Sequence, residues 1–129
     1  MHNAEVSYLE METSKEELIK MYTQMACDGL YKSKKIRGFC HLSTGEEAVA
    51  VDMEHAISLN DYIITSCHCR GYTWLRGASI KSILAELMGR VGDVSKGKGG
   101  SMHMFAHNFY GGNGVVSTQA PLDAGIAFS

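Results

Sequence analysis

Helical rhythm runs through much of the chain. After Ser14-Lys-Glu-Glu17, the apolar residues Leu18, Tyr22, Met25 and Leu30 recur near helical spacing, predicting a first helix over about 15–33. Ser14 and Glu17 form a capping box, in which hydroxyl and carboxylate satisfy each other's backbone N–H groups. Gly45 to Ile57 is rich in Ala and Glu and predicts a second helix, with Ala48, Val51 and Ala56 facing a core. A third helix is expected over about 80–88, capped by Ser79 and closed by Gly89, with Ile80, Ile83, Leu84 and Leu87 on one stripe.

Tyr62-Ile-Ile-Thr65 has the β-branched and aromatic make-up of a short buried strand, with Cys67 to Gly71 as its end and loop. Between Gly89 and Gly114 no helical or strand period survives, and more than half of the 14 glycines lie there. Met102, His103, Met104, Phe105, Phe109 and Tyr110 stud the same segment. Disordered linkers rarely carry so many large apolar groups, so this is read as an ordered loop lining something. Gln119 to Ser129 resembles the opening of a buried helix. Helix–strand–helix order points to an α/β class, while a single strand cannot close a sheet, so the chain reads as part of a domain. Residues 1–13 read as a flexible lead-in and residues 14–129 as the folded part.

With 45% apolar and 20% charged residues among 129, the chain is globular in composition. A net charge of −2 excludes a binder held to nucleic acid mainly by phosphate contacts. No apolar run approaches the ~18–20 residues that span a bilayer, so no membrane association is expected. The acidic opening carries neither a secretory core nor an Arg-rich transit pattern. Cys27, Cys40, Cys67 and Cys69 have no disulfide-framework spacing and read as free thiols.

Local motifs name no reaction. Cys67-His68-Cys69 lacks the second Cys pair of a zinc site. His103 and His107 are four apart, but in the glycine-rich segment rather than on a helix. Gly97-Lys-Gly-Gly-Ser lacks the spacing of a nucleotide P-loop.

Ile36-Arg-Gly-Phe-Cys-His-Leu-Ser-Thr-Gly-Glu-Glu-Ala48, Leu84-Ala-Glu-Leu-Met-Gly-Arg90, Ser95-Lys-Gly-Lys-Gly-Gly-Ser-Met-His-Met104 and Asn108-Phe-Tyr-Gly-Gly-Asn-Gly-Val-Val116 are together far more specific. In this order they closely resemble the alpha subunits of the pyruvate dehydrogenase first component, fungal mitochondrial versions above all. The resemblance covers about Ser14 to Ser129. It implies the N-terminal part of an α/β thiamine-diphosphate-binding domain, with a parallel sheet flanked by helices. It further implies an alpha2beta2 assembly with a beta subunit, a lipoyl transacetylase partner, pyruvate as substrate and the mitochondrial matrix as compartment. The cofactors would be thiamine diphosphate and magnesium.

Carried over by motif, His41 matches a histidine on the cofactor and substrate side, and Ala106, Gly114 and Val116 match positions whose backbones approach the cofactor. Where the family reads Tyr-Arg-x-His-Gly, this chain has Cys67-His68-Cys69-Arg70-Gly71, so Cys67 and His68 occupy the cofactor-contacting positions. If that segment is extended, positions 68 and 70 share one face and Arg70 reaches toward the diphosphate. Glu46 stands for a family Gln, Asp52 and Asp123 for glycines, and Ser117-Thr118 for Gly-Ala. The family's Gly-Asp-Gly magnesium motif is expected past residue 129, so no metal ligand is expected within the chain and activity of residues 1–129 alone is not. The alternatives are an incomplete or degenerate non-catalytic product, or a module that occupies the beta subunit without activity.

Overall fold

A computed structural model describes residues 26–129, apart from 37, 44 and 93. The lead-in, the Ser14 capping box and the first turns of the first helix lie outside the described residues. Residues 26–32, the described part of α1, are helical. Then follow α2 (Glu47–Ala56), α3 (Arg70–Leu75), α4 (Ile80–Leu87) and α5 (Gln119–Ala127). α2 packs on α3, and α3 on α4.

α4 matches its sequence pattern closely. Ser79 is its cap, accepting a hydrogen bond from the Ser82 N–H at 3.1 Å. Ile83 and Leu87 are fully buried, and Gly89 follows with φ +66°, the left-handed conformation that ends helices. In α2 the expected face is corrected. Ala48 and Ala56 are exposed and Val51 is half-buried. The inward face instead carries Ala50, packed on the core, and Glu54, whose side chain is 9% exposed. Gly71 of α3 keeps this contact close, since a Cβ there would lie 3.3 Å from the Ala50 Cβ. A buried ion pair, absent from any hydrophobic count, turned the helix. Arg76 Nε donates to Glu54 Oε1 at 2.7 Å, and its Nη atoms donate to the carbonyls of Ser58, Leu59 and Asp61.

α3 itself was missed, since Arg70–Leu75 follows a stretch read as loop. Tyr72 and Thr73 are buried along it, and Tyr72 stacks on Phe109 with ring centroids 5.9 Å apart.

The parallel sheet is not formed among the described residues. The 62–65 segment is extended but makes a single parallel bridge, Ile63 to Phe109. Ile63 N–H donates to the Asn108 carbonyl at 2.9 Å and Tyr110 N–H to the Ile63 carbonyl at 2.8 Å, which is regular parallel pairing. The next rung slips. Thr65 N–H donates to Gly111, where regular pairing would use Tyr110. Gly111 has φ +80°, so the backbone turns out of the ladder after one rung. The partner of the expected strand is thus the glycine-rich segment, which has no strand period of its own.

α5 forms at the expected place but is not buried. None of its residues is buried, and Phe128 is 94% exposed. Its ties run through Gln119, whose amide donates to the carbonyls of Thr65 and Asn113.

Candidate functional site

The core of Cys69, Tyr72, Ile83, Leu87, Met104 and Phe109 holds the start of α3 against the 101–112 segment. Cys69 Sγ donates to the carbonyls of Ser101 and Met102 at 3.6 and 3.5 Å. Gly112 is buried where Ser66, Met102 and Cys69 converge, and a Cβ there would overlap the Ser66 carbonyl oxygen. Three backbone segments therefore cross at van der Waals distance, which only glycine allows.

Around this crossing lies a cavity of about 380 Å³, lined by residues of α1, α2, the 65–69 segment and α3. Its polar lining includes Ser43, Glu46, Glu47, His68 and Arg70. Cys69 has an αR backbone and Arg70 opens α3, which overturns the extended geometry that placed residues 68 and 70 on one face. The two side chains reach the cavity by different routes. His68 Nδ1 lies 3.2 Å from Ser43 Oγ and 3.7 Å from Glu46 Oε2. Arg70 is 8% exposed and its Nη1 donates to Cys40 Sγ at 3.1 Å. Its buried Nη2 has no hydrogen-bond partner among the described residues. A buried guanidinium is always charged, and desolvating it without an anionic partner is costly.

His41 stands beside this wall. Its ring lies 5.9 Å from the His68 ring, edge to face, and 4.9 Å from the Phe39 ring. Its buried Nδ1 has no partner among the described residues. Burial lowers the His41 pKa from the ordinary histidine value, and the nearby His68 and Arg70 lower it further. The sign follows. The folded state binds the His41 proton less tightly than the unfolded chain does. This histidine's contribution to stability is therefore complete above about 6.5, the unfolded value, and is lost as pH falls toward the folded value. We expect NMR titration of the His41 ring to give a midpoint below that of an ordinary histidine; one at or above it would contradict this environment.

The other expected site residues divide. Cys67 is half-buried beside His68. Cys69 is buried, and desolvation pushes its thiol up to about 11, so it serves as packing rather than as a nucleophile. Ala106, Gly114 and Val116 do not line the cavity. Ala106 pairs with Phe109 in a tight turn, Gly114 lies against the Met102 sulfur, and Val116 is 89% exposed. The structure therefore brings His41 and His68 together with Arg70, while Ala106, Gly114 and Val116 lie outside the cavity lining.

Glu86 was missed altogether. Its carboxylate is fully buried and accepts four backbone N–H groups, from Ser95, Gly97, Gly99 and Gly100. The readable signal was a lone acid on the apolar stripe of α4, next to Leu87 and three residues after Ile83.

A family model described as "Dehydrogenase E1 component" matches residues 16–129. The chain is 60% identical to the "Pyruvate dehydrogenase E1 component subunit alpha, mitochondrial" of Saccharomyces cerevisiae, over 94% of this chain and 31% of that protein. It is 57% identical to the protein of the same name from Schizosaccharomyces pombe, over 99% of this chain and 33% of that one. Against the "Pyruvate dehydrogenase E1 component subunit alpha, somatic form, mitochondrial" of Pan troglodytes it is 56% identical, over 82% of this chain and 27% of the relative. The chain thus spans about a third of the length of these relatives. The match takes in the cavity wall, the glycine-rich segment and α5 together, and with it this chain belongs to the dehydrogenase E1 component family.

Proposed function

We propose that this chain is the N-terminal part of a pyruvate dehydrogenase alpha subunit, acting in the mitochondrial matrix on pyruvate with thiamine diphosphate. The observation that carries the reading is Arg70, which lines the cavity and whose buried Nη2 has no hydrogen-bond partner among the described residues. A diphosphate is one anion that such a guanidinium fits, with Ser43 or His68 as a further donor on the wall that also carries Glu46. When bound, the cofactor would supply carbanion chemistry and an electron sink for decarboxylation, with Arg70 and its neighbours on the cavity wall holding the diphosphate. His41, whose pKa is lowered by burial and by the nearby His68 and Arg70, is placed to orient the substrate side and to hold or release one proton at a ring nitrogen. The main chain of Ala106, Gly114 and Val116 is proposed to approach the cofactor from the 106–116 segment, with Cys67 beside His68. Gly114 suits close approach because it has no Cβ.

Magnesium is a different matter. Among the described residues no group of three His, Cys, Asp or Glu could hold a metal ion. No magnesium ligand is assigned to this chain. A beta subunit completing the site as alpha2beta2, and a lipoyl transacetylase component receiving the acetyl group, belong to the same proposal.

Calorimetric titration with thiamine diphosphate and magnesium tests it on the natural protein assembled with its beta subunit. Arg70→Gln is expected to weaken binding by about ten- to a hundredfold, the worth of ~1.5–3 kcal/mol for a hydrogen bond to a charged group. Unchanged affinity would remove Arg70 from the site. No binding by the unsubstituted protein would refute the function.

A further inference from the structure

The glycine-rich loop offers backbone N–H groups in the manner of a phosphate-binding nest. Lys96, Gly97 and Gly100 all have positive φ, the backbone form that turns successive amides toward one point. Yet the point is already occupied by the chain itself. Glu86 Oε2 accepts from Ser95 and Gly97 at 3.0 and 2.9 Å, and Oε1 from Gly99 and Gly100 at 2.6 and 3.3 Å. Glu86 sits in the last turn of α4, where the helix dipole disfavours an anion, and it is fully buried. A carboxylate in so unfavourable a place is sustained only by the amides it collects.

The loop it gathers leads to the candidate site. Ser95 Oγ donates to the His103 carbonyl at 2.7 Å, and His103 N–H donates to the Gly99 carbonyl at 3.3 Å, closing the loop on itself. A Cβ on Gly99 would overlap that His103 carbonyl oxygen. From the end of the closed loop, the buried Ser101 donates through Oγ to the Phe39 carbonyl at 2.6 Å. Phe39 in turn carries the ring against His41. The Ser101 and Met102 carbonyls meanwhile accept from Cys69, the residue before Arg70.

We propose that Glu86 is a positioning residue of the site: it fills the loop's nest as an internal anion, and through Ser101 the gathered loop sets Phe39 and hence His41. The inference rests on reading His41 as a site residue, but its test needs no cofactor.

The natural full-length protein, assembled with its partner, is compared with its Glu86→Gln and Ser101→Ala variants by amide hydrogen exchange and by NMR titration of His41. A glutamine presents an NH₂ to amides that need an acceptor. Glu86→Gln should therefore speed exchange at least about tenfold over residues 95–103 and over 38–43, leaving α2 unchanged. In both variants the His41 midpoint should move up toward the ordinary value as the ring loosens away from His68 and Arg70. Ser101→Ala should free 38–43 while leaving the 95–100 amides protected, because the Glu86 bonds are intact. Glu86→Asp keeps the acceptor on a shorter stem and should restore part of the protection. Faster exchange confined to the loop, with 38–43 and the His41 midpoint unmoved, would make Glu86 a local structural residue and overturn the proposal. If Glu86→Gln does not fold, Ser101→Ala alone decides, since an unmoved His41 there breaks the link. A protein that shows this coupling but does not bind thiamine diphosphate would refute the function and leave the linkage standing.

Discussion

Replacing Arg76 with Met should cost about 3–5 kcal/mol of stability, read as a shift in the urea midpoint of unfolding, and in a marginal background should prevent folding. The residue is 4% exposed and its guanidinium ties three elements. It caps α3, pairs with Glu54 of α2, and collects the carbonyls of Ser58, Leu59 and Asp61, which lead into the extended segment at Ile63. Methionine fills the stem's volume but leaves Glu54 as a buried carboxylate without its partner, beside three carbonyls that lose their Arg76 bonds, of which Ser58 keeps the Asp61 N–H and Leu59 the Asn108 amide. That stranded partner is what makes breaking a buried pair expensive. Arg76→Lys should recover only part of the loss, because one ammonium cannot face a carboxylate and three carbonyls in a planar fork. Adding Glu54→Leu to Arg76→Met should also recover part, by removing the stranded charge. A double-mutant cycle with no coupling between positions 54 and 76 would show that the ion pair is incidental.

Gly112→Ala should destabilise by about 3 kcal/mol, at the upper end of overpacking costs, and should weaken thiamine diphosphate binding as well. Its Cβ would overlap the Ser66 carbonyl oxygen and come within 2.6 Å of the Met102 carbonyl oxygen and 3.0 Å of the Cys69 Cβ. The first two are backbone, so no side chain can swing aside. The relief has to come from moving the 65–69 segment away from the 101–112 segment, and the first of these carries His68. Gly125→Ala is the contrasting control. Nothing lies within 4 Å of a Cβ there, and Gly125 is inside α5. That change should be neutral or stabilising by about 0.5–1 kcal/mol, through the lower entropy of the unfolded chain and better helix propensity. Equal responses at the two glycines, measured by denaturant midpoint and by cofactor titration, would mean that the crossing at Gly112 is looser than its geometry.

Elements with a local cause were legible in the residues. α4 is written into Ser79, the stripe of Ile83, Leu84 and Leu87, and Gly89, because cap, face and terminator each act within one turn. α2 and α5 were placed for similar reasons, and the ordered state of the glycine-rich segment followed from its large apolar side chains. The family was legible too, since its motifs run in order through the described chain.

What escaped was decided by partners far apart in sequence. α2 turned Ala50 and Glu54 inward because Arg76, 22 positions beyond Glu54, waited there. The 62–65 segment stayed a single rung because its partner bends away at Gly111, a backbone conformation that no hydrophobic pattern encodes. Cys69 and Arg70 became a helix start where a strand's end and loop were expected, since packing of Cys69 against Ser101 and Met102 outweighed local preference. The same event sent Arg70 toward Cys40 and left its buried Nη2 without a partner among the described residues. Sequence by itself determined the family and which helices have local signals. Tertiary structure alone decided that Glu86 occupies the glycine loop's nest, because the five hydrogen-bonding residues span 86 to 100 and meet only when α4 and the loop fold back on one another.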